Sequence, residues 1–177
     1  APVRVTVQLP VNRPPVVVLE PESISTLEDT ESVPLRVSVS DDRTTLDALV
    51  VRARSLDQGL IRDDGVRLVR NGDAWMLTVI GVTNRSGTST IELVVLDTDG
   101  AAVTNGVPVT LQAVNDAPSV ILVSPTTGAL IPFGGTIRLE AQPVDVEGDI
   151  AQVRFLADGT LLGEIRSAPF VFDWAGA

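Results

Sequence analysis

The stretch VPLRVSVS at Val33–Ser40 alternates strictly, with Val33, Leu35, Val37 and Val39 on one side and Arg36 and Ser38 on the other. STIELVVL repeats the pattern with Ile91, Leu93 and Val95, TIRLEA with Ile137, Leu139 and Ala141, and VRVTVQL with Val3, Val5, Val7 and Leu9. A period of two gives an extended segment one apolar and one wet face, which is the signature of a half-buried strand. Between such runs stand RDDG, RNGD, NRSG, DTDG and ADG, residues that tolerate tight or left-handed backbone. No run sustains a period of 3.6, and the spacing of proline and glycine would break one. Short alternating strands punctuated by turns predict an all-β sandwich.

A second pattern divides the chain. VNRPP at Val11–Pro15 returns as VNDAP at Val114–Pro118, and each copy follows a strand-like run of the form V-x-V-T-[VL]-Q. A phrase that recurs at domain spacing reads as a linker between sandwiches in series. Residues 1–12 are then the last strand of a preceding domain, 13–116 a complete sandwich, and 117–177 the first part of another. A sandwich needs about seven strands and about 100 residues. By that count the last domain lacks two strands, leaving open edges and an exposed core face. The chain opens at Ala1 with neither initiator methionine nor signal peptide, so it reads as a piece of something longer.

Composition narrows the chemistry. The net charge is −10 and there is no lysine, which disfavours nucleic acid and anionic lipid, both of which are bound through cations. No stretch reaches the 18 or so apolar residues of a membrane span. Histidine and cysteine are absent, removing the usual zinc ligands, Cys–His dyads and Ser–His–Asp triads. Carboxylates are so common that none can be paired as a glycosidase dyad without geometry. The sequence is therefore read as non-enzymatic.

Further phrases carry a resemblance. LEDTESVPLRVSVSDD, SGTSTIELVVLDTDG and the closing VNDAP resemble the cadherin-like tandem repeat of large bacterial surface proteins over the whole of residues 13–116. From Pro118, the A-x-x-x-D-x-E-G, V-x-F-x-x-D-G-x-x-L-G and A-P-F-x-F-x-W phrases resemble a bacterial immunoglobulin-like domain. The resemblance implies tandem Ig-like and cadherin-like β-sandwiches strung as stalks or spacers in exported proteins.

It also implies calcium. In animal cadherins the ion sits where a linker Asp-x-Asn-Asp meets a glutamate of the preceding domain and an Asp-x-Asp of the following one. The second junction offers Asn115 and Asp116 in the linker, Glu28 before it, and Asp145 and Glu147 after it, with Asp149 close by. There are departures. Ala113 stands near the linker's first aspartate, and Thr83–Gly87 retains only Arg85 of the acidic Asp-Arg-Glu step. The same residues also read as an Asx turn ahead of Pro118 and an exposed loop. At the first junction Arg13 replaces the aspartate, and its guanidinium is expected either to pair with Glu28 or Asp29, where a cation would otherwise sit, or to point into water.

The remaining signals read as structure. Asp97–Gly100 is a hairpin turn, since DTDGAAVTNGVP closes no EF-hand loop. Asp41–Asp42 ends a strand. Trp75 belongs to a core, Phe170, Phe172 and Trp174 form a buried stripe, and Phe133 is the one aromatic expected at the surface. Asn84–Ser86 fits a glycosylation acceptor but reads as a turn. The expectation is a structural spacer or stalk segment of a secreted or surface-anchored bacterial protein, adhesin-like in role. The alternative is a non-catalytic accessory region of a secreted polysaccharide-degrading enzyme. Its partners are then neighbouring domains of the same chain, and outside it another surface protein or a glycan.

Overall fold

A computed structural model describes residues 11–131 and 133–175 of the chain. The strand read at Val3–Leu9 lies outside the described residues. Two compact units divide between Val114 and Asn115, and each is described by itself.

The first unit holds eight strands: β1 (Val16–Glu20), β2 (Ile24–Leu27), β3 (Leu35–Ser40), β4 (Val50–Ser55), β5 (Val66–Asn71), β6 (Ala74–Val79), β7 (Gly87–Leu96) and β8 (Ala102–Gln112). They form two four-stranded sheets, ordered β1-β3-β6-β5 and β2-β8-β7-β4. This is the immunoglobulin arrangement with its first strand divided between the sheets. β1 pairs antiparallel with β3, and after Pro21–Ser23 the chain changes sheet so that β2 runs parallel to β8. Alternation does the packing: Leu35 and Val37 from one sheet and Ile91, Leu93, Val95 and Val107 from the other are fully buried in a single core.

One detail departs from the sequence reading. Val33 is 76 % exposed, and β3 begins at Leu35. Pro34 follows Val33 and restricts it sterically, while buried Ser32 takes the inward place, its N–H donating to the Val79 carbonyl and its Oγ accepting the Val79 N–H. RDDG forms a short 3-10 turn at Asp63–Gly65. Trp75 is buried as expected, with the Arg70 guanidinium 5.4 Å over its ring.

The second unit holds β9 (Ser119–Ser124), β10 (Thr136–Val144), β11 (Val153–Ala157), β12 (Thr160–Ile165) and β13 (Val171–Ala175). One sheet runs β13-β10-β9, and β11 pairs with β12 in the other. At the β11–β12 hairpin, Asp158 and Gly159 both have positive φ (47° and 81°), as a type I′ turn requires. Ile137, Leu139, Ala141, Val153 and Phe155 form the core, and Phe172 stacks on Phe155 with ring centroids 6.0 Å apart. Phe170, Phe172 and Trp174 pack on this core but stay half-buried rather than buried. The reason is position: β13 is an edge strand with one sheet neighbour, opposed by only two strands. The chain is thus all-β, two Ig-like sandwich units in tandem.

Candidate functional site

The pairing registers fix two poles on the first sandwich. At the near pole, where Val16 faces Ser40, the chain arrives beside the β7–β8 turn and the loop after β3. At the far pole Leu27 faces Gln112 and the chain leaves. β8 covers the distance in one strand of 11 residues, roughly 35 Å at strand rise. Arrival and departure therefore lie at opposite ends of the unit.

Near-pole geometry centres on Asp97, 4 % exposed. Its Oδ1 accepts the N–H groups of Asp99 (2.9 Å) and Ala101 (2.8 Å), and its own N–H donates to the Ala101 carbonyl. That is the hairpin turn read from DTDG. Its Oδ2 accepts the side-chain amide of Asn12 at 2.7 Å. Around it, Thr98 bonds Thr44 through their hydroxyls at 3.0 Å, and Asp41 caps the loop after β3. Arg13, beside Asn12, is exposed. The pairing of Arg13 with Glu28 or Asp29 is corrected: those acids stand at the far pole, the length of the sandwich away.

At the far pole Glu28 lies just past β2 and is 5 % exposed. Its N–H donates to the Gln112 carbonyl, and its Oε1 accepts the N–H of Val114 at 2.8 Å. Next to it, Asp29 has a φ of 58° and accepts the Asn84 N–H at 2.9 Å. This places the Thr83–Gly87 turn against the Glu28–Asp29 step, and leaves Asn84–Ser86 as the turn expected.

The other metal candidates belong to the second unit. The Asn115 amide donates to the Asp116 carbonyl, and the Asp116 N–H reaches Glu147 at 3.4 Å. Asp145 Oδ1 accepts from the N–H groups of Gly148 and Asp149, closing their loop. Asp116 Oδ2 is buried with no hydrogen-bond partner among the described residues, the one feature that fits a cation. Against it, in neither unit do three or more acidic side chains gather to hold a metal among the described residues.

Sequence reasoning found Asp97 as a turn residue and Glu28 as an acid of interest, but not their burial or their partners. An Asx turn is a local signal. Asn12 lies 85 residues from Asp97 and Val114 lies 86 from Glu28, with nothing local to announce either contact. Phe133 is fully exposed, as expected. No helix among the described residues is long and apolar enough to cross a membrane.

Residues 118–177 match the family model described as a bacterial Ig domain. No curated protein matches the chain. Among solved structures, the chain is similar to the fibronectin(III)-like modules of Clostridium thermocellum CbhA, at 18 % identity and a TM-score of 0.40, over 92 % of this chain and 80 % of that one. It is similar to a chimeric titin Z1Z2 at 17 % identity and 0.42, over 94 % and 84 %. It is also similar to domains 1–6 of the surface layer protein SbsC at 15 % identity and 0.44, over 96 % of this chain and 22 % of that chain.

Proposed function

We propose that this chain is a non-catalytic structural spacer from a large secreted or surface-anchored bacterial protein, adhesin-like in role, whose first unit is a cadherin-like repeat. One observation carries the reading: the chain arrives at one pole of the first sandwich and leaves at the other. A domain built that way transmits position and load along a series of domains. The bacterial Ig-domain match over residues 118–177 supports an exported setting. Calcium at the second junction is a separable part of the proposal, held by Asn115, Asp116, Asp145 and Glu147 with Glu28. The spacer reading stands without it.

Thermal melts test both parts, because a ligand that binds the folded state raises the midpoint. Soluble polysaccharides are expected to leave the midpoint unchanged, and a rise would favour the accessory region of a polysaccharide-degrading enzyme. Calcium at about 10⁻³ M, the range of extracellular modules, is expected to raise it relative to chelator, with the rise lost in Asp116→Ala. An identical melt in calcium and chelator removes the ion from the account.

A further inference from the structure

We propose that the repeated V-N phrase is a docking segment, gripped by a buried carboxylate at each end of the first sandwich. The first copy enters the unit and the second leaves it. At the near pole Asp97 Oδ2 holds the Asn12 side chain at 2.7 Å. At the far pole Glu28 Oε1 holds the Val114 N–H at 2.8 Å. The chain has 23 acidic residues, yet Glu28 and Asp97 are the only buried ones among the described residues, and both bond this phrase. A buried carboxylate oxygen is costly to leave without a hydrogen bond, so removing the donor from Asp97 Oδ2 or Glu28 Oε1 carries a penalty. Holding the donor holds the connector.

The two grips use different parts of the phrase. Where the chain leaves the first sandwich it is held by the valine backbone, and where it enters it is held by the asparagine side chain. In the second copy the Val114 N–H goes back to Glu28, while the Asn115 amide turns to the Asp116 carbonyl. Pro15 is buried beside the first grip, and the adjacent Pro14–Pro15 pair stiffens the step with fixed φ. The phrase is then anchored at both poles of the first sandwich, a device whose purpose rests on the spacer reading.

Backbone NMR on the 177-residue protein tests the grips residue by residue. In the native protein the Arg13 amide is expected to show an order parameter near ~0.85, and in Asn12→Ala to fall below about 0.6, with the strands unchanged. Asn12→Asp, which sets a carboxylate against Asp97, is expected to do the same. In Glu28→Ala the Val114 amide is expected to exchange at least about tenfold faster, as loss of a hydrogen bond to a charged group implies, while Leu111 keeps its rate. Glu28→Gln, which retains the acceptor oxygen, restores protection. A merely destabilised sandwich would instead speed Leu111 and Val114 together. An Arg13 amide equally ordered in Asn12→Ala, or a Val114 amide already unprotected in the native protein, overturns the proposal. Neither result bears on whether polysaccharide shifts the melt, so the grips and the spacer reading fail separately.

Discussion

Asp41 stands one residue past β3, and its Oδ1 accepts the N–H of Thr44 at 2.6 Å and of Arg43 at 2.9 Å. Those bonds favour the carboxylate, first through Thr44 and then through Arg43, and hold its pKa below the ordinary value. The sign follows from the depressed folded value. The contribution is fully present above the unfolded pKa of about 3.9 and is lost as pH falls through the lower folded one. Carboxyl-carbon NMR should find Asp41 titrating below an ordinary aspartate, and Asp41→Asn, which keeps an acceptor oxygen, should remove that acid sensitivity. Titration at the ordinary value would contradict the cap. Asp63 is lowered in the same way, by the Gln58 side chain and then the Ser55 N–H. At this scale the sequence was half legible. DTDG announced a turn and Asp41–Asp42 the end of a strand, because aspartates bond backbone close by. The distant bonds of Asp97 and Glu28 had no such local sign, and Arg13 was matched to the wrong pole for the same reason.

Strands were more legible, because an alternating face shows itself in any five residues. Leu35, Val37, Ile91, Leu93, Val95, Ile137 and Leu139 all turned inward as their period required. Val33 broke the pattern because its neighbour is proline. Phe170, Phe172 and Trp174 alternated correctly, yet how deeply an edge strand is covered depends on the strands opposite, which periodicity does not report. One position in that region makes a prediction about an element. Gly163 of β12 passes beneath Phe172, and a Cβ added there would lie 2.4 Å from the ring's Cε2. Gly163→Ala forces the ring or the strand to move, the kind of overpacking that costs about 1–3 kcal/mol. Denaturant unfolding should show that loss in the second unit, with the first unit unaffected. An unchanged midpoint would mean that β12 and β13 do not press together as described.

For the molecule as a whole, charge and connectivity matter more than any single side chain. A net charge of −10 makes for a well-solvated surface. The first sandwich is strung between its poles. β2, close behind the arriving strand, lies parallel to β8, the strand that departs, in register from Ile24↔Val109 to Leu27↔Gln112. Pulling the ends of this unit apart loads that ladder along its length, so its hydrogen bonds must yield together rather than one after another. The direct measurement is single-molecule pulling on the first unit through its two ends. The account predicts a distinct rupture event whose force drops when Ser25 and Thr26 are both replaced by proline, which removes their backbone donors from β2. A rupture force unchanged by those substitutions, or extension without a rupture event, would contradict a spacer that transmits force.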